Sequence, residues 1–154
     1  MTGNLKILNF LNEILSAESE SHDQYLMDSH IQKMAGFKGL SDFFKSLHSD
    51  ESSHGKKIID RILFLEGLPE MNTLREINKS QDVKNQLDFD LKKEMEMLQK
   101  YRDGIILCGS EKDFITQELL TDLAEDEEDH VKDIEKQISK IEKMGIDNYY
   151  SKKA

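Results

Sequence analysis

Apolar residues recur at steps of three and four along four long segments of this chain, and each stripe is broken near its middle by groups that bind cations. Side chains at that spacing share one face of a helix, so each segment predicts a long amphipathic helix. The first runs from about Asn4 to Met34, with Leu8, Leu11, Leu15, Glu18, His22 and Tyr25 on its stripe. The second runs from about Leu40 to Glu66 and carries Leu40, Phe44, Leu47, Glu51, His54, Ile58, Ile62 and Leu65. The third, about Asp82 to Leu107, carries Leu87, Leu91, Glu94, Leu98, Tyr101 and Ile105, with Cys108 next in the pattern. The fourth carries Leu120, Leu123, Glu127, His130, Ile134, Ile138 and Ile141.

The punctuation supports four helices. Ala35-Gly36-Phe37-Lys38-Gly39 ends the first, Gly67-Leu68-Pro69 the second, Gly109-Ser110 the third and Gly145 the fourth. Ser80 is the expected N-cap of the third helix, and Ser110 with Asp113 reads as a capping box for the fourth. Short links make the first and second helices antiparallel neighbours, and likewise the third and fourth. The stretch from Gly67 to Gln81 is long enough to cross the bundle, so the second and third helices can run parallel. The expected fold class is all-α: a four-helix bundle with one long crossover. It forms one domain over 1–154, with the bundle at about 4–144 and room for a short fifth helix in 145–154.

The composition suits long exposed helices: 34% charged residues, 37% hydrophobic ones, one Pro and no Trp. A net charge of -10 disfavours nucleic acid or an anionic membrane as partner and favours cations. The single cysteine, Cys108, falls on an apolar stripe and reads as a small core residue in a reducing compartment. The start Met1-Thr2-Gly3-Asn4 lacks the basic and apolar run of a signal peptide. A cytoplasmic location is expected.

The breaks in the stripes carry the chemistry. Glu51-Ser-Ser-His54 and Glu127-Glu-Asp-His130 each aim a carboxylate and an imidazole at one point. Glu18 and Glu94 add a carboxylate each. All lie near mid-helix, so the six groups can meet in one layer: Glu18, Glu51, His54, Glu94, Glu127 and His130. No Lys or Arg falls on that layer to pair with four acids. Two divalent metals would neutralise them, and oxygen and imidazole donors suit iron or manganese. Tyr25, seven residues after Glu18, shares its face. It is placed to hydrogen-bond a ligand, to supply an electron, or simply to fill the core.

The order Glu18, Glu51-x-x-His54, Glu94, Glu127-x-x-His130 resembles the bacterioferritins, a branch of the ferritin-like di-iron carboxylate superfamily. Arg61-Ile-Leu-Phe-Leu-Glu-Gly-Leu-Pro69, Asp126-Glu-Glu-Asp-His130 and Lys143-Met-Gly145 support the likeness, which covers nearly the whole chain. The resemblance implies iron storage by a ferroxidase. Glu51 and Glu127 would bridge two irons per subunit, Glu18 and His54 would complete one, and Glu94 and His130 the other. It also implies a hollow shell of twenty-four subunits and a ferredoxin-type reductant for iron release. A discrete di-iron oxidase or peroxidase is the rival reading.

The chain departs from that pattern at Ser52. The family places there a methionine that ligates haem between two subunits, and a hydroxyl is a poor haem ligand. No methionine-ligated haem is expected in the homomer, although a mixed shell with a haem-binding subunit remains open. Met27, Met34, Met95 and Met97 read as core or interface residues. Asp50 and Asp126 match family acids that face the inner cavity. They are candidates for an accessory iron or a merely solvated acidic surface, and Ser46 stands where the family often has a histidine. His22 is one turn from Glu18 and can approach the site, His48 faces another direction, and His30 reads as surface. Tyr149-Tyr150 is a candidate symmetry contact.

Overall fold

A computed structural model describes residues 2–71 and 76–154. Its helices are α1 (Leu5–Met34), α2 (Lys38–Phe64), α3 (Val83–Ser110), α4 (Phe114–Met144) and a short α5 (Ile146–Lys152). The described residues contain no strand.

Local chemistry sets the boundaries. Asn4 caps α1 by accepting from the amides of Lys6 and Ile7. Gly36, at φ +93°, supplies the left-handed turn that lets Phe37 N–H reach back to Gln32 C=O. Two expected caps are corrected. Asp82, not Ser80, caps α3, and Ser80 Oγ instead accepts from the amide of Asp82. Asp113 caps α4, while Ser110 belongs to the last turn of α3 and bonds to Leu107 C=O. Carboxylates supply a stronger acceptor than a hydroxyl for the exposed amides of a first turn. Arg61 of α2 also grips Asp113, at 3.2 Å, and Thr116.

Cross-helix pairs give the topology. Glu18 meets Tyr101 while Tyr25 meets Glu94, so α1 and α3 are antiparallel. Asp50 meets His130 while Arg61 meets Thr116, so α2 and α4 are antiparallel too. With α1 and α2 joined by a tight turn, α2 and α3 run parallel, as the long link requires. The described residues of that link bond to the outside of α1. Leu68 and Glu70 bond to Asn12, Asn78 bonds to Gln24, and Gln81 bonds to Gln32.

These contacts correct one feature of the sequence reading. The α1 stripe is not interrupted only once: Gln24, Asp28, Ser29 and Gln32 are also buried, and α3 buries Gln86 and Asp90. The three glutamines are buried because their amides satisfy the link's backbone groups.

The C-terminal tyrosines seal one end of the bundle. Tyr149 is buried and donates to Gln137, and Tyr150 Oη accepts from the amide of Val83. Both tyrosines dock within the chain. Cys108 is buried, and its thiol is pushed up to about 11 by that burial. Of Met27, Met34, Met95 and Met97, Met97 is core and the other three are exposed. Two apolar clusters fill the bundle, one around Leu11, Ile58 and Leu120 and the other around Phe44, Leu87 and Ile134. The polar layer lies between them.

Candidate metal centre

All six expected ligand residues meet in that layer, none more than 3% exposed. Glu18, Glu51, His54 and Glu127 each bring one donor atom within 4.8 Å of the others, and so do Glu51, Glu94, Glu127 and His130. The two groups share Glu51 and Glu127. His54 Nδ1 lies 3.0 Å from Glu127 and 3.5 Å from Glu18. His130 Nδ1 lies 2.9 Å from Glu51, 3.2 Å from Glu127 and 3.7 Å from Glu94. The rings face one another at 6.1 Å.

Many of these close atoms are not hydrogen-bonded. Both oxygens of Glu51, one oxygen each of Glu18, Glu94 and Glu127, and Nδ1 of His130 are buried without a hydrogen-bond partner. A structural polar layer would satisfy its atoms. Donors that converge and stay unpaired fit a bound cation.

The electrostatics agree. Burial and the charges of Glu18 and Glu127 hold Glu51 well above the usual carboxylate range. Burial and the charges of Glu18 and Glu94 do the same to Glu127. Burial also opposes charge on Glu18, but the neighbouring Glu51 and His54 side chains outweigh it and hold the group at about 2. Burial opposes charge on the histidines, yet their glutamate partners raise His54 to about 10 and His130 to about 11. The metal-free centre thus holds protons where a metal would place positive charge. Metal binding must expel them, so affinity rises with pH. We expect Zn²⁺ affinity to increase steadily between about pH 6 and pH 8. Calorimetric titration across that range reads it, and a flat profile would contradict this electrostatic account.

A surrounding set of groups holds the ligands in place. Asp126 accepts from His54 Nε2 at 2.9 Å, and Asp50 from His130 Nε2 at 3.0 Å. These acids are half exposed, as a solvated surface would have it, but each also fixes a ring with Nδ1 turned inward. Tyr25 donates to Glu94 at 2.5 Å, and Tyr101 donates to Glu18. The sequence reading counted Tyr101 only as stripe. A signal was present: Tyr101 follows Glu94 by seven residues, as Tyr25 follows Glu18.

His22 does not join the centre. It stacks on His48 at 3.9 Å, and its Nδ1 lies 3.1 Å from Asp23. His30 is exposed. A cavity of about 220 Å³ opens between α1 and α2 onto Glu18 and Glu51, with Ser52, Gly55, Lys56 and Met71 on its wall.

A bundle of antiparallel hairpins around converging carboxylates and imidazoles defines a class of metal-handling helical proteins. The family model described as "Ferritin-like domain" matches residues 8–144, and the chain belongs to that family. Its relatives include the bacterioferritin of Mycolicibacterium paratuberculosis (strain ATCC BAA-968 / K-10), 34% identical over 149 residues, 97% of this chain and 94% of that one. The bacterial ferritin of Neisseria meningitidis serogroup B (strain ATCC BAA-335 / MC58) is 35% identical over 151 residues, 97% of each chain. That of Pseudomonas aeruginosa PAO1 is 34% identical over 150 residues, again 97% of each. Among the described residues no helix is long and apolar enough to cross a membrane.

Proposed function

We propose that this protein stores iron and oxidises Fe(II) to Fe(III) at the centre formed by Glu18, Glu51, His54, Glu94, Glu127 and His130. The observation that carries this reading is the pair of overlapping donor groups sharing Glu51 and Glu127. Two four-donor groups with two carboxylates in common are built for two adjacent cations. Kinship with bacterioferritins and bacterial ferritins supports iron as the cation and a hollow shell, twenty-four subunits in the family pattern, as the vessel.

Iron is here the substrate. Fe(II) enters through the cavity beside Ser52, which ends on Glu18 and Glu51. The imidazoles give up their Nδ1 protons, the carboxylates ionise, and the negative layer becomes neutral. Each pair of Fe(II) ions then surrenders two electrons. Dioxygen accepting them takes two protons and leaves as hydrogen peroxide; peroxide accepting them takes two protons and leaves as two waters. The carboxylate-rich set favours the ferric product over the ferrous substrate. Tyr25 and Tyr101, each bonded to a terminal glutamate, steady those carboxylates through the change.

The test is an aerobic Fe(II) titration of the purified homomer followed by absorbance. A fast phase saturating at two irons per chain, one for each donor group, is expected. Absence of any fast phase would overturn the catalytic reading and leave a shell subunit dependent on a partner chain.

A further inference from the structure

One glycine of this fold has no packing reason to be a glycine. Of the eight, two take a positive φ, and at five others a Cβ would come within 3.1 Å of another heavy atom, as at Gly104 against Phe10. Gly55 shows neither constraint, and a Cβ there would meet nothing within 4 Å. Glycine weakens a helix interior, and Gly55 sits well inside α2. What its missing side chain leaves open is the cavity of about 220 Å³ that ends on Glu18 and Glu51.

Side-chain size accounts for that cavity. Ser52 and Gly55 stand one turn apart on α2, and Ser19 of α1 lines the same space. Leu15 and Ile59 bound it on the side of the apolar cluster. The three small residues cannot fill the gap between two packed helices, so a passage remains. The other cavity near the centre does not admit a hydrated ion. It lies beside Tyr25 and Asp90 and holds about 10 Å³, roughly the room of one water. Lys93 on its wall is already paired, with Glu76 at 3.1 Å and Glu20 at 3.6 Å.

Lys56 gives the passage its charge. It follows Gly55 and lines the same cavity, and it is exposed, so it stands at the solvent end. Among the described residues it forms no ion pair. On a chain of net charge -10, an ammonium group at the entrance to a layer of carboxylates has the wrong sign for attracting a cation. We infer that Gly55 and Lys56 determine which ions reach the metal centre and how fast, Gly55 by the width of the passage and Lys56 by its charge. Lys56 repels a doubly charged ion twice as strongly as a singly charged one. It therefore slows the approach of divalent metal without touching a ligand. Gly55 keeps the passage open to the ions that get by. A barrier of width acts on arrival and departure alike and leaves affinity as it was.

This inference rests on the proposed metal centre but not on iron oxidation, so zinc is the probe. Rapid mixing of the metal-free protein with Zn²⁺ and a zinc indicator reads arrival, and mixing the loaded protein with a chelator reads departure. The parent is compared with Gly55→Leu and Lys56→Glu. Gly55→Leu should slow both rates by at least about 10-fold, because passage then waits on a local opening of the helix pair. Its zinc stoichiometry and equilibrium affinity should stay at the parent values. Lys56→Glu should speed arrival by about 10-fold at low salt, the low end of charge steering into a cleft, and by far less at roughly 1 M salt. Parent rates in both variants would overturn the proposal and place the entrance on the side of Asp50 and Asp126. A loss of affinity in Gly55→Leu equal to its loss of rate would overturn the role of Gly55, because the residue would then act on the ligands. An acceleration in Lys56→Glu that persists at high salt would overturn the role of Lys56. Lack of iron oxidation in the parent protein would bear on the ferroxidase reading alone.

Discussion

Glu127→Ala should abolish the fast phase of iron oxidation while leaving the metal-free fold at least as stable as before. Glu127 belongs to both donor groups, so its loss weakens both metal positions at once. A rate loss of at least about 10²-fold is expected, the scale seen when one preorganised polar group is removed from a reacting centre. Stability should respond in the opposite sense. Glu127 is fully buried, and burial with the charges of Glu18 and Glu94 makes its ionisation costly. Replacing a whole buried ion pair by apolar groups of similar volume is often neutral or favourable by about 1–4 kcal/mol, and Glu127 stands among three other buried carboxylates that its charge opposes. Here the lost contact to His54 subtracts from that gain, and His54 retains Glu18 at 3.5 Å. Single-turnover oxidation and thermal unfolding without metal read the two effects. A variant that oxidises iron at the native rate, or one that unfolds well below the parent, would contradict the placement of this residue.

The six convergent residues were legible because a buried helical stripe tolerates polar groups only where something pairs with them. Glu51, His54, Glu127 and His130 broke long apolar runs at helical spacing, and Glu18 and Glu94 did so singly. The parallel course of α2 and α3 followed from loop length alone. Periodicity could not register partners that come from another helix. Tyr101 looked apolar because a phenol fits a stripe as well as leucine does. Asp50 and Asp126 looked solvated because their carboxylates are half in water, and only the facing imidazole of the opposite hairpin reveals their second role. Gln24 and Gln32 escaped notice because their partners are backbone groups of an irregular link, which has no pattern to read.

Asp126→Ala and Asp50→Ala should each weaken metal binding by about 10–100-fold, the range found when the outer partner of a ligating histidine is removed. The effect should be largely local. Asp126→Ala frees the His54 ring, and Asp50→Ala frees that of His130. The double variant should depart from the sum of both effects in free energy, because the two donor groups share Glu51 and Glu127 and the rings lie 6.1 Å apart. Both acids are half exposed, so unfolding should change little. Zinc competition titrations on the three variants measure this. Native affinity in both single variants would reduce Asp50 and Asp126 to surface acids.

The crossing of these supports from one hairpin to the other has a further consequence. The α1–α2 hairpin carries Glu, Tyr, then Asp-Glu-x-x-His, and the α3–α4 hairpin carries the same series in the same order. Glu18 and His54 of one hairpin are braced by Tyr101 and Asp126 of the other, and Glu94 and His130 by Tyr25 and Asp50 of the first. The chain is in effect a covalent dimer of one motif about a half-turn, and neither half is a metal site alone. The described residues of its link bond to α1 and α3, so the likeness ends at the outer surface. The two cation positions have matching donors and unlike neighbourhoods: Tyr25 and the Asp90 cavity beside Glu94, and Tyr101 with the open channel beside Glu18. A duplicated motif has thereby been given a front and a back.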